Sequence, residues 1–306
     1  MQNTLSIVIV NWNAGSQLRD CVTSILTSNQ SCFKLDKIIV VDNASTDDSL
    51  SLLPQNERMI VVRNQVNFGF GKACNIGARE AKSDLLLFLN PDTKLELQTL
   101  DQAIKFYINN SKLMHFGILG IKLLHDNDSV QRSCARFPST RSYFFDSTGL
   151  SKLFPNESLH MGDFNHLSSR FVDHVIGAFF LMENGVFNQL NGFDESFFVY
   201  LEDLDFSYRA SKLGHKSYFL AETTAVHVGG GCSQQVKAKR LFYSLNSRLI
   251  YAKKHFSALD YLLVSGLTLF VEPFSRAMLS LLKRDFKGFS ETLLSYKMLY
   301  KGLLNK

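Results

Sequence analysis

The sequence predicts an α/β fold in which a mostly parallel, Rossmann-like sheet is flanked by helices. Short apolar segments of strand length alternate with segments of helical period through the first half of the chain. Each predicted strand also runs directly into polar residues. Alternation of this kind is typical of parallel strands joined by crossover helices, whose ligands gather at the carboxyl ends of the strands. We therefore expect one rim of the sheet to carry the functional residues.

The predicted elements follow one another closely. Strands are predicted over 5–10, 37–41, 59–62 and 85–89, and helices over 18–26 and 70–82. A further apolar strand that contains Gly177 is predicted over 172–182. Segment 122–169 is polar and rich in loop-forming residues, so we expect an insertion there.

The composition describes an ordered globular protein. The 306 residues are 45% hydrophobic, which is enough to bury the core of one large or two modest domains. The five cysteines are scattered and form no Cys-x-x-Cys pair, which argues against disulfides and against a zinc–thiolate site. The first residues lack the basic start of a signal peptide. We therefore expect a cytoplasmic protein.

The basic charge is concentrated in the C-terminal quarter. Residues 237–306 carry 13 Lys or Arg against 4 Asp or Glu, whereas residues 1–236 carry 20 against 24. This asymmetry favours a local anionic partner, above all membrane lipid, and not nucleic acid.

The C-terminal part is predicted to be a helical, amphipathic extension, which divides the chain into domains 1–234 and 235–306. Only 11 uncharged residues separate Asp260 from Glu272, against roughly 20 needed to cross a bilayer, so this segment is not expected to span a membrane. A later apolar stripe is flanked by basic residues and predicts a helix lying at a membrane surface. The alternative is a helix docked on the protein body or on a second subunit. The stripe comprises Phe286, Phe289, Leu293, Tyr296, Tyr300 and Leu303.

Two strand ends carry candidate nucleotide-binding residues. Asp42 follows a predicted buried strand, where a carboxylate can accept from a base or a ribose, although it can also cap the next segment. Gly69 and Gly71 open a predicted helix whose N-terminus, with Lys72, offers positive potential to a diphosphate. The spacing matches neither a dinucleotide fingerprint nor a P-loop.

A metal site is predicted after the fourth strand. Asp92 lies in the turn Asn90-Pro-Asp-Thr93, and hard cations such as Mg²⁺ or Mn²⁺ select carboxylates. As an isolated motif this is a common turn. His227 precedes three glycines, which favours an accessible side chain that can complete a metal or diphosphate site.

An acidic motif lies within residues 191–209, where apolar side chains surround Asp194, Glu202, Asp203 and Asp205. Crowding and loss of hydration raise the proton affinity of at least one such carboxylate, as acid–base chemistry requires. The alternative is a solvated helix start whose acidic residues interact with the helix dipole.

Taken in this order, the motifs resemble the inverting family 2 glycosyltransferases of the GT-A fold, and within them the bacterial rhamnosyltransferase-like branch. The resemblance covers roughly residues 5–230. The matched segments are 6–13, 41–47, 67–77, 89–93, 192–205 and His227.

The resemblance implies a nucleoside-diphosphate-sugar donor and transfer of its sugar with inversion, assisted by Mg²⁺ or Mn²⁺. It implies that Asp42 binds the base, that Asp92 and His227 bind the metal, and that Asp203 is the catalytic base. Glu202 would help to place the acceptor, while Asp205 and Arg209 brace the helix. The remaining residues predicted to bind the sugar donor are Asn11, Asn67, Gly69, Gly71, Asn75 and Asn90.

Two departures from the family pattern affect these expectations. Asn90 occupies the position of the first aspartate of the usual metal motif, so Asp92 would be the sole protein carboxylate on the metal. The Gln-x-x-Arg-Trp motif of processive synthases cannot be present, because Trp12 is the only tryptophan. The resemblance therefore implies transfer of one sugar per encounter.

The resemblance further implies dTDP-L-rhamnose as the sugar donor, with UDP-hexoses and other donors open. The acceptor would be a lipid-linked saccharide at the inner face of the cell membrane, in surface polysaccharide or O-antigen assembly. The sequence does not fix the oligomeric state, and a homo-oligomer is compatible with it. Two alternatives are a nucleotidyltransferase, disfavoured because Asn11–Gly15 lacks a cationic triphosphate loop, and a non-catalytic sugar-nucleotide-binding subunit.

Overall fold

The computed structural model describes residues 2–229 and 237–304. These residues form two compact units. The first unit comprises 2–135, 165–195 and 202–229, and the second comprises 136–164, 196–201 and 237–304. Residues 230–236, which include two of the glycines after His227, lie outside the described part.

The strands all belong to the first unit. In chain order they are β1 (Asn3–Asn11), β2 (Phe33–Asp42), β3 (Met59–Arg63), β4 (Leu85–Leu89), β5 (Thr93–Leu95), β6 (Phe116–Leu124), β7 (Cys134–Ala135), β8 (Arg170–Val172), β9 (His174–Val175), β10 (Phe179–Glu183) and β11 (Lys216–His227). The helices are α1 (Ser16–Thr27), α2 (Phe70–Arg79), α3 (Thr99–Met114), α4 (Thr140–Thr148), α5 (Asn184–Gln189), α6 (Glu202–Lys212), α7 (Lys237–His255), α8 (Ala258–Gly266), α9 (Glu272–Leu282) and α10 (Phe286–Leu304).

The central sheet is mixed and mostly parallel, as predicted. Its order is β3-β2-β1-β4-β10-β6-β11-β5, with β8 paired to β11, while β7 and β9 form a separate pair. The first four strands run parallel, and β10 is antiparallel to both of its neighbours. Every residue of β4 is buried, as expected for a strand covered on both faces.

Helix α2 lies very close to the sheet. Gly77 makes this possible, because a Cβ built at this position would lie 2.6 Å from Val8 Cγ1 and 2.9 Å from Val41 Cγ2. The helix begins after Gly69, whose φ of 87° suits glycine. The close packing therefore places the glycine turn of 69–71 at the carboxyl ends of β1 and β2.

One sequence prediction about an element was wrong. The segment 172–182 is not one strand but belongs to β8, β9 and β10, with a break at 176–178. The break occurs because the Gly177 N–H donates to Asp203 Oδ2 at 2.8 Å and not to a neighbouring strand. Within the polar segment 122–169, where an insertion is expected, lies α4, which begins with a capping box formed by Ser139 and Ser142.

The second unit is helical and has two small apolar clusters. Leu245, Leu249, Tyr296 and Leu299 pack α7 against α10. Tyr143 of α4 packs with Ala252 and Val264. The predicted stripe on α10 therefore does not keep one outward face, since Tyr296 points into the unit.

The apolar segment after Asp260 belongs to a longer helix than the sequence predicted, while the expectation that it does not span a membrane stays a prediction. Helical structure continues through Glu272, so Ala258–Leu282 forms 25 helical residues that are long and apolar enough to cross a membrane by length and composition. Glu272 does not interrupt the helix because it is buried and paired with Arg248 and Arg276. Its charge is thus compensated inside the second unit.

Candidate active site

Asn11 and Asp42 are paired residues at the ends of β1 and β2. Asn11 Nδ2 donates to Asp42 Oδ1 at 2.8 Å and to the hydroxyls of Ser45 and Ser49 at 3.0 and 2.8 Å. The Ser45 N–H donates to Asp42 Oδ2 at 3.3 Å. Asn11 Oδ1 is buried and has no hydrogen-bond partner among the described residues. Hydrogen bonds therefore fix both side chains in place, and Asn11 Oδ1 remains able to accept a further hydrogen bond.

The predicted residues Asn67 and Asn75 bind other parts of the protein. Asn67 Oδ1 accepts from Asn43 Nδ2 at 3.0 Å and from the Gly69 N–H at 2.9 Å, which shapes the turn before α2. Asn75 Nδ2 donates to the Phe193 carbonyl at 2.8 Å, and Asn75 Oδ1 accepts from the Phe193 N–H at 2.9 Å. The geometry gives both side chains a positioning role, while direct contact with a sugar donor stays a prediction.

Asp92 and His227 come together as predicted. The pairing of β5 with β11 sets His227 opposite Thr93, and His227 Nε2 lies 3.2 Å from Asp92 Oδ1. Asn90 Nδ2 lies 3.3 Å from the same imidazole nitrogen. On the other side of the ring, Nδ1 lies 2.7 Å from Gln131 Oε1.

These contacts fit a divalent cation. The Gln131 oxygen can only accept, so the proton is on Nδ1 and the Nε2 lone pair faces the carboxylate of Asp92. Two acceptors at this distance require a cation or a second proton between them. With the proton there, the pKa of Asp92 is below its ordinary value: burial acts to raise it, but the hydrogen bond and charge of His227, together with the backbone N–H groups of Asp92 and Gly229, lower it by more. A carboxylate and an imidazole whose far nitrogen is fixed by a hydrogen bond form a ligand pair of the kind that binds Mn²⁺.

The protein supplies few further metal ligands. Within 2–229 and 237–304, no group of three or more His, Cys, Asp or Glu side chains could hold a metal ion. A cation at Asp92 and His227 would thus keep positions open for other oxygens, as expected where a metal binds together with a diphosphate.

Asp203 lies at the start of α6 and is held by backbone groups. Its Oδ2 accepts from the Gly177 N–H at 2.8 Å, and its Oδ1 accepts from the Leu204 N–H at 2.8 Å. A Cβ at Gly177 would lie 3.3 Å from Oδ2, so a glycine allows this close approach. The side chain remains 17% exposed and can meet a substrate.

Glu202 differs sharply from its neighbour. It is buried, and its Oε2 has no hydrogen-bond partner among the residues that the structure describes. Burial, and then the nearby charges of Asp203 and Asp205, raise the pKa of Glu202 well above its ordinary value. A Cβ at Gly71 would lie 3.3 Å from Glu202 Cβ, so the acidic motif packs directly against the glycine turn.

Asp205 and Arg209 brace the acidic motif, as predicted. Arg209 Nε donates to Asp205 Oδ2 at 2.7 Å. The remaining guanidinium nitrogens donate to the carbonyls of Leu190 and Gly192 at 2.7 and 2.8 Å. The ion pair therefore ties α6 to the chain that leads into the motif.

The break at 176–178 links the carboxylate of Asp203 to the turn that carries Asp92. Gly177 binds Asp203, and the carbonyl of the next residue, Ala178, accepts from the Asn90 N–H at 3.2 Å and from the Thr93 hydroxyl at 3.4 Å. Asp203 and the Asp92 turn thus bind two consecutive residues of one short segment.

Several contacting residues were missed by the sequence predictions. Gln131, Asn43 and His174 all contact predicted site residues. Gln131 lies in a polar segment that shows no motif. His174 had a signal, since a histidine within an apolar segment must find a polar partner.

A cavity of about 240 Å³ in the second unit, lined by Lys237, Arg276 and Glu291 among others, contains none of the predicted site residues. The predicted residues lie in the first unit.

Sequence comparisons identify the family. A model of the family described as "Glycosyl transferase family 2" matches residues 6–175, more than half of the chain. The rhamnosyltransferase WbbL of Escherichia coli K12 is 30% identical over 232 residues, which cover 70% of this chain and 81% of that protein. An N-acetylglucosaminyl-diphospho-decaprenol L-rhamnosyltransferase of Mycobacterium tuberculosis is 23% identical over 247 residues, covering 74% and 76%.

Solved structures have the same fold. The mannosyltransferase PcManGT of Pyrobaculum calidifontis, in complex with GDP-Man and Mn²⁺, has a TM-score of 0.57 at 14% identity and covers 100% of this chain and 88% of its own. GalNAc-T7 with UDP, GalNAc and Mn²⁺ has a TM-score of 0.56 at 18% identity, covering 83% and 50%. Together with the sequence match, these similarities establish that the chain is a glycosyltransferase that belongs to glycosyl transferase family 2.

Proposed function

We propose that the protein transfers one sugar, with inversion at the anomeric carbon, from a nucleoside diphosphate to a hydroxyl of a lipid-linked saccharide. One observation carries the proposal. Asp203, a partly exposed carboxylate, accepts from the Gly177 N–H, and the turn that carries Asp92 donates to the carbonyl of the next residue, Ala178, through Asn90 and Thr93. This arrangement supports a mechanism in which a proton acceptor acts close to the site for the diphosphate leaving group.

The chemistry follows from the charges of these groups. An alcohol is a weak nucleophile until a base removes its proton while the new bond forms, and the ionised Asp203 can be that base. The acceptor oxygen attacks the face of the anomeric carbon opposite to the leaving diphosphate, which inverts the configuration. A divalent cation bound by Asp92 and His227 would neutralise charge on that diphosphate. Asp42 and Asn11 would bind the base, and the turn of 69–71 would let the backbone approach the phosphates.

Asp203→Asn tests the base. This variant should bind nucleotide normally and lose roughly 10²- to 10⁴-fold in turnover, because a general base contributes about that factor. Release of nucleoside diphosphate from the sugar donor measures turnover, and nucleotide-induced thermal shift measures binding. The exposed Asp126→Asn is the control and should behave as the unmodified protein. Turnover near that of the unmodified protein in Asp203→Asn would overturn the assignment, and turnover absent from every sample would favour a non-catalytic binding subunit.

We propose dTDP-L-rhamnose as the sugar donor. The support is that two similar proteins are named as rhamnosyltransferases. A thermal-shift panel of dTDP, UDP and GDP, each with and without Mn²⁺, tests the choice of base and the use of a metal, since selective binding to the folded state raises the melting temperature. We expect the largest shift with dTDP and Mn²⁺ together. A larger shift with UDP or GDP would replace the proposed donor.

We also propose that the second unit binds the inner face of the cell membrane, where a lipid-linked acceptor would lie. The helix Ala258–Leu282 supports this. Apart from the buried Val264, its large apolar residues are mostly exposed, and Leu262, Phe270, Phe274 and Met278 are each more than 60% exposed. Its polar residues point inward, where Thr268 and Glu272 are buried. A soluble helix shows the opposite arrangement, whereas a helix in the plane of a membrane shows this one.

The charges near this helix fit an anionic lipid surface. Lys253 and Lys254 precede it, and Lys283, Arg284 and Lys287 follow it. Each basic residue near an anionic membrane contributes about 1 kcal/mol. The ion pairs of Glu272 with Arg248 and Arg276 hold the helix to the unit, which favours insertion into one leaflet.

Flotation with anionic phosphatidylserine-containing vesicles tests the membrane surface. Phe274→Glu places a charge on the outward face of the helix and should abolish flotation. Leu293→Glu, at an exposed position of α10, is the matched control and should float normally. If Leu293→Glu abolished flotation instead, the surface predicted on α10 would be the correct one. A protein that fails to float and that Phe274→Glu converts from dimer to monomer would show that a second copy covers this face.

A further inference from the structure

His174 is buried in the first unit, between β9 and α6. It is 3% exposed, and its backbone is fixed by the pairing of β9 with β7. Its Nδ1 lies 3.0 Å from the hydroxyl oxygen of Ser207, which is itself fully buried. Its Nε2 lies 3.6 Å from Asp203 Oδ2. Ser207 and Asp203 lie one turn apart on α6, so the ring bridges two positions of that helix.

The contacts favour one tautomer of His174. If the Ser207 hydroxyl donates to Nδ1, the ring proton is on Nε2 and points toward the Asp203 carboxylate. The opposite tautomer would set the Nε2 lone pair against a negative oxygen. Burial lowers the pKa of His174, although Asp203 and Asp173 act in the opposite direction. The ring is therefore neutral at physiological pH and can donate one N–H without adding a full positive charge.

We propose that His174 is a positioning residue for the catalytic base, holding Asp203 through an Nε2–H contact to Oδ2. The inference rests on the proposed function, in which Asp203 accepts the proton of the acceptor hydroxyl. Together with the N–H groups of Gly177 and Leu204, His174 gives the carboxylate a third donor. This contact limits rotation of the carboxylate. The distance of 3.6 Å exceeds that of a hydrogen bond, and such contacts commonly shorten when substrate binds.

The proton balance is simple. The acceptor hydroxyl gives its proton to Asp203 while its oxygen bonds to the anomeric carbon. The bond from that carbon to the diphosphate oxygen breaks, and the electron pair leaves with the diphosphate. His174 keeps its proton throughout, and the partly exposed Asp203 returns the acquired proton to solvent.

His174→Phe tests the proposal, because phenylalanine fills a similar volume without an N–H. We expect kcat to fall about 10- to 100-fold, the size of effect that a misplaced catalytic group produces, with the KM for the sugar donor unchanged. The variant also lacks the N–H that faces Asp203, and a hydrogen bond to a carboxylate favours its charged form, so the acidic limb of the kcat–pH profile should move to higher pH. His174→Gln, whose side-chain amide can replace the N–H, should recover part of kcat and return the limb toward its original position.

A second variant guards against misfolding. Ser207→Ala removes the group that fixes the tautomer and should move kcat and the acidic limb in the same direction by a smaller amount. Unmodified kcat and an unmodified acidic limb in folded His174→Phe would overturn the proposal. Equal loss in the Phe and Gln variants without movement of the limb would show a packing role only, which also overturns it. Asp203→Asn distinguishes failure of the His174 proposal from failure of the proposed function, because an active Asp203→Asn variant would contradict the role of Asp203 as the catalytic base.

Discussion

Glu202 is a carboxylate buried beside Asp203 with an oxygen that has no hydrogen-bond partner among the described residues. Its raised pKa means that the folded protein binds this proton more tightly than the unfolded chain, whose value is near 4.5. The stabilising effect of protonated Glu202 is therefore complete below about pH 4.5 and is lost as the pH rises toward the folded pKa. Above that range the buried charge destabilises the fold.

Glu202→Gln should consequently stabilise the protein at pH 8, because the amide has a similar shape and no charge. The folded protein no longer has to carry this buried charge, so we expect a higher melting temperature for the variant at pH 8. Thermal unfolding of both proteins between pH 4.5 and pH 8 measures it, and the gain should shrink as the pH falls. A difference in melting temperature that does not change with pH would show that Glu202 is not the titrating group.

Side chains that follow a strand were predictable, and their partners were not. Asp42 and Asp92 each follow an apolar strand, and parallel strands bring their carboxyl ends to one edge. His227 was predicted as a site residue because glycines follow it in the sequence. Gln131 and His174 contact the site only because β11 and α6 pack where they do, and no local pattern records such tertiary contacts. The tertiary partners of a site residue thus require the structure.

At the scale of elements, the glycine turn depends on how closely α2 approaches the sheet. Gly77→Ala should destabilise the protein by about 1 to 3 kcal/mol, as overpacking in a core does, because the added methyl would meet Val8 and Val41. It should also reduce the thermal shift caused by nucleotide, since α2 carries Gly71. Chemical denaturation and the shift assay measure the two effects.

The control for this change is Gly185→Ala in α5, where an added Cβ has no neighbour within 4 Å. It should be neutral or stabilising by up to about 1 kcal/mol, since alanine is the better helix former. If both alanine variants had the same stability as the unmodified protein, close packing of α2 would not be what holds the turn in place.

The strands of the parallel half were predictable because their apolar segments are short and bounded by polar residues. The segment 172–182 misled the prediction for a physical reason. Its composition is that of one strand, yet a distant carboxylate captures the N–H of Gly177 and interrupts the ladder. A pattern of apolar residues cannot show that a distant carboxylate will bind this N–H. The interruption occurs next to Asp203, at the candidate active site.

The whole molecule consists of two units that interleave along the chain. The sequence predicted a boundary at residue 234 because charge and period change there, and this boundary stays a prediction. Segment 136–164 clusters with the C-terminal helices, which no composition shift announces. Its contacts come from side chains about a hundred residues away: Ser147 binds both Arg248 and Glu272, which form an ion pair with each other.

A fragment that ends at residue 234 should be markedly less stable than the full chain. It would keep α4 and lose α7, α8 and α9, so Tyr143 would lose Ala252 and Val264 and Ser147 would lose Glu272. Exposing a buried side chain of this size costs about 2 to 3 kcal/mol, and an exposed apolar surface promotes aggregation. Melting temperature, dye binding and size-exclusion chromatography measure the effect.

A second fragment in which a short Gly/Ser linker also replaces 136–164 removes helix α4, which has lost its partners, and should recover solubility. A 1–234 fragment that is monomeric and melts with the full chain would instead support an independent domain with that boundary.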